Sequence, residues 1–192
     1  GFAGGALYII VRNSRWFLAL WGKFFRFAGE ATPAPLPSIG RLADIAAPAL
    51  LIAMAIGRIG DVINGEHWAK ATDLPWGLIY THPLSLGGGR PASHPAVAYE
   101  LLFDLALLAV ILPLRHRLRP PGMLFVLYGA LYSVGRFFLS FLRDEFNEYF
   151  LGLNEAQIAA LVVMAVAIPL LVYKAQFVRA APPRAAPRRR GR

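Results

Sequence analysis

Residues 45–68 read IAAPALLIAMAIGRIGDVINGEHW. From Ile45 to Ile56 the run carries no charge, and Arg58 follows before any polar break. An ionised side chain at membrane depth costs roughly 2.5–3.5 kcal/mol even on a mild scale. A residue that persists at such a cost usually holds an anionic group. The stretch is therefore a candidate membrane helix, and Arg58 a candidate functional residue.

The rest of the composition agrees. The chain has 192 residues, of which 57% are hydrophobic, and its mean hydropathy is +0.50. This is too apolar for an ordinary soluble domain and fits an all-α, polytopic transmembrane bundle. The net charge of +9 raises the question of nucleic acid, and its placement argues against it. Residues 174–192 hold seven Lys/Arg and no acid, and Arg115, Arg117 and Arg119 share one short loop. Basic residues flanking apolar spans follow the positive-inside pattern, and a basic tail also attracts anionic membrane lipids. There is no cysteine, so any thiol in the chemistry belongs to a substrate. The chain opens on Gly1 without a Met or a charged signal region, which reads as a missing N-terminal part.

Apolar runs and loop charge predict about five spans within residues 1–173. Span one covers Gly1 to Phe27 and is interrupted by Arg12, Asn13 and Arg15. Span two runs from about Leu42 to Ile63, span three from His94 to Leu114, span four from Met123 to Leu142 and span five from Glu155 to Tyr173. Pro33, Pro35 and Pro37 mark a loop, and 64–93 is a long polar loop with a flexible Gly87-Gly88-Gly89. Residues 174–192 read as a basic, disordered tail. The Arg115–Arg119 loop and this tail then lie in the cytoplasm. Polar groups of spans two, three and four meet at the opposite, outer depth.

Span four carries Tyr132, Arg136, Ser140 and Arg143 on one helical face. Tyr132 can equally belong to an aromatic belt, and Arg143 can snorkel to the interface. Arg136 lies deeper. Together with Arg58 it makes a phosphate clamp, since guanidinium is always charged and its fork matches phosphate oxygens. Asp61 stands three residues after Arg58 and can pair with it. Asn64 and Glu66 close span two. His94, before Pro95, either marks a helix start or serves as a proton acceptor near neutral pH. Asp104 is a buried polar residue without an assigned role. The glycine triplet lacks the ending of a phosphate loop, and the four histidines lack metal-ligand spacing, so no metal is expected.

These residues carry a resemblance. Gly57, Arg58, Gly60, Asn64 and Glu66, followed by Thr72-Asp73-Leu74-Pro75-Trp76-Gly77, resemble the signature of the prolipoprotein diacylglyceryl transferases. His94-Pro95-Ala96-Val97-Ala98-Tyr99-Glu100 is similar to that family's His-Pro-Ser-Gln-Leu-Tyr-Glu. Tyr132, Arg136 and Arg143 stand in the register of its Tyr, Arg and Arg, and Gln157 fits the Gln that opens its last span. The resemblance implies a seven-span enzyme of the bacterial inner membrane, two of whose spans precede this chain. Its substrates would be phosphatidylglycerol and the lipobox cysteine in a preprolipoprotein signal peptide. The diacylglyceryl group moves to the thiol and glycerol phosphate leaves, without metal or cofactor. Arg58 and Arg136 would stabilise the departing charge, with His94 as a catalytic candidate. Asp61, Asn64, Glu66, Tyr132, Ser140 and Arg143 would bind substrate.

The departures are specific. Ala3-Gly4-Gly5 stands where the family has His-Gly-Gly. Asp61 replaces an Asn, Ala69 a Gly, and Ser140 a Glu. Asp61 and Ser140 together suggest a carboxylate moved from span four to span two. A second reading is a non-catalytic lipid- or lipoprotein-binding paralogue on the same scaffold.

Overall fold

The computed structural model describes residues 2–25, 38–144 and 149–178. The chain divides into two compact units, 1–38 and 39–192. Among the described residues the regular structure is helical apart from one two-stranded ribbon.

In the first unit the expected span one is two helices, α1 (Phe2–Asn13) and α2 (Arg15–Phe24). Ser14 makes the break. Its hydroxyl donates to the Val11 carbonyl at 2.6 Å and accepts from the Phe17 amide at 3.4 Å, capping α2. A serine that satisfies both a helix end and a helix start favours interruption over continuation. Helices of 12 and 10 residues reach about 18 and 15 Å, short of a hydrocarbon core of about 30 Å. The proline loop expected around Pro33, and most of the basic tail, lie outside the described residues.

The second unit holds α3 (Ile39–Asn64), α4 (Ala96–Leu114), α5 (Met123–Leu139) and α6 (Glu155–Lys174). Among the described residues four helices are long and apolar enough to cross a membrane; the third, α5, runs on through a 3-10 turn at 140–142. Helix α4 packs on α3, and α5 packs on α3, α4 and α6. Their shared core is Ala47, Leu51, Leu107, Ile111, Leu124 and Tyr128, with Leu118 and Met123 at one end. Large apolar side chains also face outward, such as Ile56 at 64% and Val172 at 76% exposure. A bundle that is apolar outside as well as inside suits lipid, not water.

The two ends of this bundle differ. At one end, β1 (Leu118–Arg119) pairs antiparallel with β2 (Gln176–Phe177), tying the α4–α5 loop to the chain leaving α6. There Asp44 of α3 accepts from the Gly122 and Phe125 amides at 2.8 and 3.1 Å. It thus caps α5, whose own N-cap, Gly122, has no side chain to offer. At the other end lie the 64–93 loop, the start of α4 and the capping box Asn154–Gln157 that opens α6.

The 64–93 loop is folded rather than loose. The Lys70 amide donates to the Leu142 carbonyl, the Asp144 amide to Trp68, and the His94 amide to Lys70, at 3.0–3.1 Å. The Trp68 indole donates to the Leu86 carbonyl, and the Arg90 guanidinium stacks 3.5 Å over the Trp68 ring. In the glycine triplet, expected as flexible, Gly87 packs closely and Gly89 takes a left-handed backbone angle, φ 76°. A Cβ on Gly87 would meet the Tyr80 ring at 2.6 Å.

Candidate active site

Three helices of the second unit bring opposite charges together near the capped end. Arg58 lies two turns before the end of α3, Glu100 one turn into α4, and Arg136 in the last turn of α5, with Arg143 just after the 3-10 turn. Arg58 Nη2 lies 2.5 Å from Glu100 Oε2. Arg136 Nη1 and Arg143 Nη1 approach Glu100 Oε1 at 2.6 and 3.2 Å. Arg58 Nη1 also donates to Asp61 Oδ2 at 3.0 Å, the i, i+3 pair that the sequence predicts.

Glu100 is the hub. Its side chain is 5% exposed, and a lone carboxylate buried so deeply would be strongly disfavoured. Three guanidiniums surround it. In turn, three cations against Glu100 and Asp61 leave one formal positive charge, before Asp104, one turn deeper on the same face of α4, is counted. Asp104 is buried, as expected. A site with surplus guanidinium donors in a poorly solvated place can hold a phosphate.

The remaining expected residues fall into two groups. Tyr132 sits within electrostatic reach of Arg58, its ring 5.9 Å from Tyr128. Ser140 is fully buried, but its hydroxyl donates to the Arg136 main-chain carbonyl at 2.8 Å; it shapes the helix end. Arg136 and Arg143 pair with Glu100, and Asp61 pairs with Arg58. Arg143, left open as a snorkelling residue, is 10% exposed and bound to Glu100. Asn64 and Glu66 are further out: Asn64 Nδ2 donates to Glu66 Oε1 at 3.2 Å, at the exposed end of α3.

Beside the cluster, under the folded loop, lies a cavity of about 410 Å³. Its wall includes Val62, next to Asp61, and Asp144, next to Arg143. Glu66, His67, Arg90 and His94 bring polar groups to it. Tyr80 closes one side, its hydroxyl donating to the Val62 carbonyl at 2.8 Å. Burial pushes the Tyr80 phenol above its ordinary value, which keeps it a neutral donor. His94 Nδ1 is buried and has no hydrogen-bond partner among the described residues.

Two residues went unassigned in the sequence. Glu100 was read as part of a motif and not as a counter-ion. The available signal was simply a carboxylate inside an apolar span, which must find a cation. His67 stands just past the helix end in a polar loop, with no sequence signal for a role. In the structure its Nε2 lies 3.6 Å from Asp61 Oδ2.

The fold and the cluster define a multi-span membrane protein with guanidiniums gathered at one end of its bundle. Residues 19–173 match the family model described as Prolipoprotein diacylglyceryl transferase, and the chain belongs to that family. It is 38% identical over 137 residues to a protein of Dehalococcoides mccartyi named phosphatidylglycerol–prolipoprotein diacylglyceryl transferase, covering 71% of this chain and 52% of that protein. Proteins of the same name from Nocardia farcinica and, as number 1, from Streptomyces coelicolor are 35% and 33% identical. The alignments cover 88% and 92% of this chain, and 38% and 57% of those proteins. The chain thus spans about half the length of the Dehalococcoides relative. No solved structure matches.

Proposed function

We propose that the chain carries the site that moves the diacylglyceryl group of phosphatidylglycerol onto the lipobox cysteine thiol of a preprolipoprotein. The names of its relatives support the reaction class. The observation that carries it in this chain is the convergence of Arg58, Arg136 and Arg143 on Glu100.

The chemistry needs such a cluster. The thiol sulfur attacks the glycerol carbon that bears the phosphate, and the carbon–oxygen bond breaks. The departing glycerol phosphate gains negative charge on its oxygen. Guanidiniums already in place stabilise that charge without reorganising. Arg58 and Arg136 take this role, and Arg143 with Tyr132 holds the headgroup. Asn64 and Glu66, at the exposed end of α3, meet the signal peptide. His94 forms part of the thiol-side cavity wall. The reaction runs at the outer face of the inner membrane, with the chain's C-terminus in the cytoplasm, and uses no metal or cofactor.

The test is complementation of a transferase-depleted bacterium with the gene encoding this chain, with mass spectrometry of a lipobox reporter. Growth and a reporter heavier by one diacylglyceryl group are expected. Correctly inserted protein that leaves the reporter unmodified overturns the reading.

A further inference from the structure

We propose that His67, oriented by Asp61, is the base that takes the proton from the substrate thiol. This rests on the transferase reading and names the group that reading left open.

The chain has four histidines. His116 lies at the far end of the bundle, accepting from Arg115 Nε at 3.1 Å. His82 is on the loop tip, where its Nδ1 accepts from the Leu84 amide at 3.2 Å. Only His67 and His94 line the cavity beside the arginines. They differ in what surrounds them. His94 Nδ1 is enclosed, and its ring leans towards Tyr99, with centroids 6.3 Å apart. His67 is 39% exposed and turns Nε2 to the Asp61 carboxylate at 3.6 Å. The same Asp61 oxygen accepts from Arg58 Nη1. Base, carboxylate and leaving-group clamp are therefore joined in one line along the end of α3. The chain reverses there to make this possible: Gly65 and His67 both take left-handed backbone angles, φ 73° and 59°, which is uncommon for a residue with a side chain.

The other charges facing His67 are consistent with the role. Glu66 is its neighbour, engaged by Asn64. On the far wall Arg90 and Asp144 pair with each other at 3.6 Å. Asp61, Glu66 and His67 also have ligand atoms within 4.8 Å of one another. A divalent ion there would lie against the Arg58 guanidinium on the shared Asp61 oxygen, so the geometry favours a proton over a metal.

The step balances as follows. With Nε2–H directed at Asp61, Nδ1 is the acceptor. The S–H proton passes to Nδ1, the sulfur pair forms the C–S bond, and the C–O pair leaves on the phosphate oxygen. The imidazolium then returns its proton to water. Asp61 is a positioning residue: its carboxylate, 3.6 Å from Nε2, favours the proton on that nitrogen and stabilises the imidazolium that forms.

The test is the pH–rate profile of the full chain, reconstituted in phosphatidylglycerol vesicles with a lipobox peptide. His67→Gln should lower kcat about a hundredfold and remove the acid limb, with the apparent KM for lipid unchanged. Added imidazole should restore part of the rate. Asp61→Asn should lower kcat and keep an acid limb. If His67→Gln keeps the parent's acid limb, or if His94→Gln is the variant that loses it, the assignment fails and the transferase reading stands. Activity of the parent that EDTA abolishes overturns the base in favour of a metal. A parent inert at every pH removes the transferase reading, and the base with it.

Discussion

Arg58 reaches two carboxylates with two different nitrogens, Glu100 through Nη2 and Asp61 through Nη1. A lysine has one ammonium on a flexible stem and can serve only one of them well. Arg58→Ala and Arg136→Ala are each expected to lower transfer by at least a hundredfold, about 2.7 kcal/mol or more of transition-state stabilisation. Arg58→Lys should fail nearly as badly. A lipid-transfer assay on membrane-inserted variants checks this, and near-normal product from either Ala variant would sink the clamp. Glu100 makes a contrasting case. Glu100→Gln leaves three guanidiniums without their shared counter-charge, and breaking a buried pair of this kind costs about 3–5 kcal/mol. A clear fall in the unfolding midpoint in detergent is the expected outcome. The arginines were legible in the sequence because their desolvation cost singles them out. Glu100 was not, because its partners lie on other helices and no local spacing announces them.

At the scale of elements, the joint at the ribbon end of the bundle depends on close approach. A Cβ on Gly40 would collide with the Pro121 main-chain carbonyl, and Asp44, one turn further along α3, caps α5. Gly40→Ala should destabilise by about 1–3 kcal/mol, since main chain must move. Asp44→Ala should cost about 1 kcal/mol, the usual worth of a cap, and Asp44→Asn less. Thermal unfolding of the three variants in one detergent ranks them, and equal midpoints would show that this joint is loose. The bounds of α4, α5 and α6 followed from sequence to within a few residues because Pro95, Pro121-Gly122 and Asn154 are strong boundary signals. The interior of the 64–93 loop did not. Its order comes from Trp68, Tyr80 and Arg90 meeting partners far along the chain, and Gly87, which looks flexible in isolation, is small because the Tyr80 ring lies against it. In span one the interruption expected at Arg12, Asn13 and Arg15 falls at Ser14, a local cap.

For the whole molecule the decisive question is which end faces the cytoplasm. The β1–β2 ribbon puts the Arg115–Arg119 loop and the chain leaving α6, as far as Val178, at one end of the bundle. The arginine cluster, the cavity and the folded loop are at the other. Loop charge orients a bundle through its Lys and Arg residues, and the orientation we propose on that ground has the ribbon end inward and the cluster outward. The chain has no cysteine, so a single engineered thiol reports cleanly. A cysteine placed at 184–192 should resist a membrane-impermeant maleimide in intact cells and react once the membrane is opened. A cysteine replacing Leu84, 87% exposed at the tip of the 64–93 loop, should react in intact cells. The reverse pattern would put the arginines on the face where a secreted preprolipoprotein has not yet arrived, and the transfer proposed for them could not take place there.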